Sequence, residues 1–210
     1  MGKIFAIGDI HGCFENLIRL IDKLSIRPEE DTLVFMGDYI DRGPAAFEVV
    51  EYLIGLKKIY RNIVFLKGNH EKMLDDYLSG PDKHTYLVNG GQATLESYMK
   101  RSRPGMARIP EEHLEFFKSL TNYYETDDYI FVHAGLKDHV PLHIQIPDDF
   151  LWIRREFIYS DYDFGKIVVF GHTPFPEPFV EKNKIGIDTG AVYGNVLSCV
   201  QLPDLKFFSA

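Results

Sequence analysis

The amino-acid sequence predicts an α/β fold in which two facing β-sheets carry helices on their outer sides. Three observations predict it. Short apolar runs alternate with amphipathic helical stretches through the first third of the chain, which is the pattern of parallel βαβ units. A polar stretch with helical periodicity, at about residues 71–124, then breaks the alternation. Strand-like runs resume beyond it, enough for a second sheet. With 210 residues, 45% of them hydrophobic, one domain over residues 1–210 can bury a large core, and no linker divides it.

Taken in order, Lys3 to Gly8 is a short apolar run closed by Gly8-Asp9 and reads as a buried strand. Phe14 to Leu24 places Leu17, Leu20, Ile21 and Leu24 at helical spacing. Thr32 to Met36 is a second strand, closed by Gly37-Asp38. Phe47 to Leu56 is a helix with Val49, Val50, Leu53 and Ile54 inward, entered through Pro44. Ile63 to Leu66 is a third strand, closed by Gly68-Asn69-His70. The helical excursion that follows is punctuated by Gly80-Pro81, Gly90-Gly91 and Pro104-Gly105, and is expected to lie over one side of the sheet. Tyr129 to Val132 and Ile167 to Phe170 are strands closed by His133-Ala134-Gly135 and Gly171-His172. Lys184 to Ile187 and Val196 to Leu202 are expected in the second sheet, with Leu205 to Phe208 closing it.

Composition excludes several classes. Lys and Arg number 23 against 31 Asp and Glu, a formal net charge of −8, which argues against nucleic acid as a partner. No apolar run approaches a membrane span, so no membrane partner is expected. The two cysteines, Cys13 and Cys199, form no close pair, so a reducing, cytoplasmic setting is expected. The residues before Ile4 carry no signal-peptide pattern, so none is expected, and Ala6 stands where a myristoylation signal needs Ser or Thr.

The chemistry lies at the strand ends. Asp9 and His11 follow the first strand, Asp38 the second, Asn69 the third, His133 the fourth and His172 the fifth. Ligands of open α/β sheets gather beyond the carboxyl ends of strands, so these six side chains are expected at one edge. Any one of them alone reads as a turn residue or a hydrogen-bonded core histidine. Five strand ends that each carry a metal-capable residue, in a chain with 8 histidines, favour a shared site. Two divalent cations about 3.5–4 Å apart need carboxylate, imidazole and neutral oxygen donors of this kind for phosphoryl displacement. Mixed oxygen and nitrogen ligands suit manganese, iron or zinc better than calcium.

Gly8-Asp9-Ile10-His11-Gly12, Gly37-Asp38-Tyr39-Ile40-Asp41-Arg42-Gly43 and Gly68-Asn69-His70-Glu71 resemble the three signature segments of the metal-dependent phosphoprotein phosphatase family. These are calcineurin-like metallophosphoesterases. His133-Ala134-Gly135 and Gly171-His172-Thr173 resemble its two downstream histidine motifs. The resemblance runs from Lys3 to about Gly190 and is nearest to the compact bacterial and phage members. It implies two mixed β-sheets sandwiched between helices, a four-layer arrangement. It implies two divalent metal ions, manganese first and iron or zinc next, with Asp9, His11 and Asp38 on one and Asp38, Asn69, His133 and His172 on the other. A water lying between the metals would attack phosphorus without a phosphoenzyme. His70 would be the general acid, paired with Asp41; Arg42 would clamp the phosphate, with Asn69 also on the substrate side. Leu151-Trp152-Ile153-Arg154-Arg155 resembles a later segment that supplies a second clamp, Arg154 in the better alignment and Arg155 as the fallback.

The leading expectation is therefore a serine/threonine phosphoprotein phosphatase acting on a phosphorylated protein or peptide. A symmetrical dinucleoside tetraphosphate hydrolase shares the early motifs and is the alternative. A non-catalytic metal-binding module is a third reading, which would require lost ligands. The sequence names neither the physiological substrate nor the oligomeric state. Three other features read as ordinary structure. His139 and His143 flank Pro141, which disfavours a helix. Lys100, Arg101 and Arg103 read as a solvated loop, and Cys13 as a small packing residue. Tyr193, near Asp188-Thr189-Gly190, approaches the site in this reading without being required by it.

Overall fold

The structure is a computed structural model and describes residues 2–80, 83–101 and 109–210. Its strands are β1 (Ile4–Ile7), β2 (Thr32–Phe35), β3 (Asn62–Phe65), β4 (Tyr123–Glu125), β5 (Tyr129–Val132), β6 (Ile167–Phe170), β7 (Phe179–Val180), β8 (Lys184–Gly186), β9 (Ser198–Leu202) and β10 (Lys206–Ser209). Its helices are α1 (Phe14–Lys23), α2 (Ala46–Lys57), α3 (Asn69–Ser79), α4 (His84–Tyr86), α5 (Gln92–Arg101), α6 (Glu111–Lys118), α7 (Pro147–Trp152) and α8 (Arg155–Ile158). A π-turn, Leu87–Gly91, joins α4 to α5. Among the described residues no helix is long and apolar enough to cross a membrane.

The strands form two mixed five-stranded sheets, ordered β10-β9-β1-β2-β3 and β4-β5-β6-β8-β7. In the first, β1, β2 and β3 run parallel and β9 lies antiparallel to β1. In the second, β5, β6 and β8 run parallel between two antiparallel edge strands. Successive side chains of a strand face opposite sides, and here both sides are apolar. Phe5, Ile7, Leu33 and Phe35 join an outer core with Leu17, Leu20, Val49 and Leu53 of α1 and α2. Ala6, Val34, Met36, Phe131, Val169 and Val200 form the core between the sheets. Ile130, Val132, Val168 and Phe170 face a third core with Phe150, Leu151 and Phe157. The result is helices, sheet, sheet, helices, as expected.

Three expectations are corrected. The late strands Val196 to Leu202 and Leu205 to Phe208 were expected in the second sheet, but β9 and β10 complete the first, with Ala6 opposite Val200. Strand order is set by long-range pairing, which local periodicity does not encode. The helical excursion also ends earlier than residue 124, because Tyr123–Glu125 is an edge strand against β5. The edge strand β7 was not foreseen; two residues are too few for a periodic signal. Pro44 precedes α2 by two residues rather than occupying its first turn.

Phe5 is 1% exposed between β1 and the outer helices. Phe5→Ala is expected to destabilise the protein by about 3–5 kcal/mol, read as a lower urea midpoint with an unchanged slope. An unchanged midpoint would remove this layer from the core.

Candidate active site

The two sheets meet at the carboxyl ends of their parallel strands. The His172 backbone N–H donates to Asp9 Oδ2 at 2.9 Å, and His133 Nδ1 donates to the Met36 carbonyl at 2.8 Å, so each sheet is tied to the other there. All six expected ligands converge on this edge, and none is more than 4% exposed. Asp38 stands at the centre. His11 Nε2 lies 3.3 Å from its Oδ2 and His133 Nε2 lies 3.5 Å from its Oδ1. His133 Nε2 is also 2.9 Å from Asn69 Oδ1 and 3.2 Å from His172 Nδ1.

Protonation makes this arrangement informative. His11 Nδ1 donates to the Ile40 carbonyl at 2.8 Å, as His133 Nδ1 does to Met36. In the neutral ring each Nε2 then carries a lone pair, the tautomer of a metal ligand. At His133 that lone pair faces carboxylate and amide oxygens, so acceptors confront acceptors. Burial and the nearby His133 push His172 down to about 2, leaving it a neutral imidazole. Burial, then Asp188 and Asp38, pushes Asp9 well above the usual carboxylate range. Burial penalises the charged Asp38 too, but His133, His70 and His11 outweigh it and hold that carboxyl low. Asp9 Oδ1 and His172 Nε2 are buried without a hydrogen-bond partner. Converging lone pairs, an orphaned carboxylate oxygen and crowded negative charge fit divalent cations.

His70 opens α3 with its Nδ1 on Asp41 Oδ2 at 2.7 Å, while its Nε2 points back to 4.0 Å from Asp38 Oδ2. Arg42 Nη1 donates to His11 Nε2 at 2.6 Å, which brings its guanidinium to the cluster. Arg154 also reaches the cluster, with Nη1 donating to the His172 carbonyl and to Thr173 Oγ1, both at 3.2 Å. Arg155 is exposed, and it makes no ion pair with Glu156. Of the two candidate second clamps, Arg154 is the one beside the site.

Several supporting residues escaped the sequence reading. Glu71 accepts the backbone N–H groups of Asp38, Tyr39 and Gly68 at 3.0, 2.8 and 2.9 Å, and so fixes the loop after β2 against the start of α3. Burial and the Asp38 charge push Glu71 up to about 8. The helical excursion holds Asp41 and Arg42. Asp41 Oδ1 accepts Tyr86 Oη–H at 2.8 Å and Thr94 Oγ1–H at 2.6 Å, and the Arg42 N–H donates to the Gly90 carbonyl at 3.1 Å. Gly90 has φ of 102°, and a Cβ there would lie 2.7 Å from Arg42 Cγ, so glycine is required. The signal was the Gly90-Gly91 pair itself, which reads as a helix break until its partner is known.

The site loops are also strained. His11, Asp38, Asp41, Arg42 and His172 have φ between 45° and 71°, five of the seven non-glycine residues in this region among those described. Such conformations cost of order 1–3 kcal/mol each and collect at functional sites. Other expectations resolve as ordinary structure. His139 lies in a turn against Tyr162, and His143 in the 3-10 turn Leu142–Ile144. Lys100 and Arg101 were expected in a solvated loop but close the last turn of α5, where Arg101 pairs with Glu48, and Arg103 lies outside the described residues. Cys13 packs partly buried against the outer core.

A Cβ on Gly171 would stand 2.1 Å from Asp9 Oδ1. Gly171→Ala is therefore expected to displace Asp9 and weaken manganese binding at least tenfold in calorimetry, with circular dichroism preserved. Unaltered affinity would separate Asp9 from the metal site.

Residues 2–194 match the family description "Calcineurin-like phosphoesterase". The chain is 29% identical to a protein of Bacillus subtilis over 97% of this chain and 92% of that one, and 30% identical to one of Oceanobacillus iheyensis over 99% and 91%. Both relatives are named bis(5'-nucleosyl)-tetraphosphatase PrpE [asymmetrical]. Among solved structures, one provisionally described as a diadenosine tetraphosphatase is 24% identical, covers 100% of this chain and 93% of its own, and superposes with a TM-score of 0.78. A cold-active protein-tyrosine phosphatase of a psychrophilic Shewanella shares the fold at 16% identity and a TM-score of 0.70, over 100% of this chain and 77% of its own. The chain belongs to the calcineurin-like phosphoesterase family.

Proposed function

We propose that this protein hydrolyses dinucleoside tetraphosphates at a two-metal centre, cutting the polyphosphate chain asymmetrically. The observation that carries this choice is the near-complete alignment with relatives named for that activity. The phosphatase neighbours support the fold alone. The alternative weighed from sequence thus leads over phosphoprotein phosphatase, with an asymmetrical cut in place of a symmetrical one.

Asp9, His11 and Asp38 would hold one ion, and Asp38, Asn69, His133 and His172 the other. When bound, two such cations activate water and offset phosphate charge. Their oxygen and nitrogen donors suit manganese, with iron or zinc next. The protein's own groups do the rest. Arg42, on His11, and Arg154, on His172, orient phosphate oxygens through planar guanidinium forks. His70 Nε2 faces the site, and Asp41 fixes the ring through Nδ1, so a proton held at Nε2 can pass to a departing oxygen.

The His70–Asp41 pair also supports a second reading, phosphomonoester hydrolysis on a phosphorylated protein. A serine alkoxide is a strong base and needs a proton to leave. A nucleotide phosphate is a weak base and departs as the anion. The two readings thus place different demands on His70.

The direct test supplies the manganese-loaded protein with diadenosine tetraphosphate and with phosphoserine, phosphothreonine and phosphotyrosine peptides. The expected outcome is fastest hydrolysis of the dinucleotide, giving adenosine mono- and triphosphate. Two diphosphates would indicate a symmetrical cut, and a higher kcat/KM on a peptide would overturn the proposal. His70→Asn is expected to keep its metal and to lose about 100-fold or more on phosphoserine peptides, with a far smaller loss on the dinucleotide. Metal loss in proportion to activity would contradict the acid role.

A further inference from the structure

Two large aromatic side chains stand uncovered beside the metal-ligand cluster. Tyr193 is 64% exposed and Trp152 is 41% exposed. The Arg42 guanidinium carbon lies 5.7 Å from the Tyr193 ring centroid, and Arg42 reaches on to His11. Trp152 stands edge-on to His172, with ring centroids 6.2 Å apart and planes at 89°. His11 and His172 are different members of the cluster: His11 lies against Asp38, and His172 lies against His133, which itself lies against Asp38. Each aromatic therefore stands beside a different ligand residue.

Neither ring is loosely placed. Tyr193 ends the 3-10 turn Ala191–Tyr193, bounded by Gly190 and Gly194 at φ of 72° and 91°, with Ala191 buried beneath it. Trp152 is the last residue of α7, and the preceding Phe150 and Leu151 are in the third core. Each aromatic also has a cation beside the same ligand residue: Arg42 with Tyr193, and Arg154, two residues beyond Trp152, on His172. An exposed aromatic face next to a phosphate-binding arginine is the combination that holds a nucleotide: the guanidinium takes phosphate and the ring stacks the base.

We infer that Tyr193 and Trp152 are stacking platforms for the two bases of a dinucleoside polyphosphate whose phosphates lie across the metal-ligand cluster. This rests on the dinucleotide reading above and adds specificity-determining residues to it. A substrate with a base at each end engages both platforms at once. Inorganic polyphosphate engages only the arginines and the metals.

Trp152 is the only tryptophan of the chain, so its fluorescence reports its own platform. The metal-loaded protein is titrated with a non-hydrolysable methylene analogue of diadenosine tetraphosphate, and separately with inorganic tripolyphosphate. Saturable quenching by the analogue is expected, with none by tripolyphosphate although the two compete. In parallel, Tyr193→Ala is expected to raise KM for diadenosine tetraphosphate about tenfold more than the inhibition constant of tripolyphosphate, and Tyr193→Phe to restore it. Equal increases for both ligands would show that Tyr193 only steadies Arg42 and would overturn its platform role. Hydrolysis of the dinucleotide without quenching by its analogue would overturn the Trp152 platform and leave the dinucleotide reading standing. A protein that neither binds nor hydrolyses the dinucleotide would remove both. Quenching by a phosphotyrosine peptide and not by the dinucleotide would overturn the inference and give the ring to a peptide substrate.

Discussion

The crowding of buried carboxyl groups is the constraint that organises this molecule. Asp9, Asp38, Glu71 and Asp188 are each 6% exposed or less, and they act on one another electrostatically. Charges taken from water in this way are tolerated only when paired or richly hydrogen-bonded. Each carboxylate has its own device. Glu71 collects three backbone N–H groups, Asp38 is surrounded by imidazoles, and Asp188 accepts the Gly190 N–H at 2.9 Å. Asp9 has only half of its needs met, since one oxygen accepts the His172 N–H and the other is left without a partner. The remaining demand is for cations, and the strand ends, left-handed loops and bare glycines are the means of placing donors around them.

Most of the site was legible because its parts are local. Each ligand follows an apolar run directly, so a periodic strand followed by Asp, Asn or His can be recognised without knowing what the strand pairs with. The layered fold was legible for the same reason. What escaped was whatever depends on distant partners. No local pattern tells that Val200 lies opposite Ala6, or that Thr94 bonds to Asp41 across 53 positions. Glu71 stood within a recognised segment, yet its work is on the backbone of another loop, which sequence does not display. Arg154 and Arg155 are adjacent, chemically alike and both exposed, and only the tertiary contact of Arg154 with His172 separates them.

The helical excursion is therefore more than cover for the sheet. Through Tyr86, Gly90 and Thr94 it holds Asp41 and Arg42, and through Asp41 it orients His70. The candidate metal ligands come from strand ends of the two sheets. The scaffold thus divides the labour, with the sheets fixing where the carboxyl and imidazole groups gather and the excursion fixing the His70–Asp41 pair and Arg42.

The pairing of β9 with β1 has a consequence for how the protein is made. The strand that delivers Asp9 leaves the ribosome well before its antiparallel neighbour, Ser198–Leu202, from which it is far removed in sequence. Until then β1 is an open edge with unpaired backbone groups, a template for mispairing with other nascent chains. His172 also follows Asp9 by 163 positions, so the earlier carboxylates wait for their partners while the intervening chain is made. Assembly of the ligand cluster is in effect a closing step: it is completed only when segments far apart in the chain have found each other.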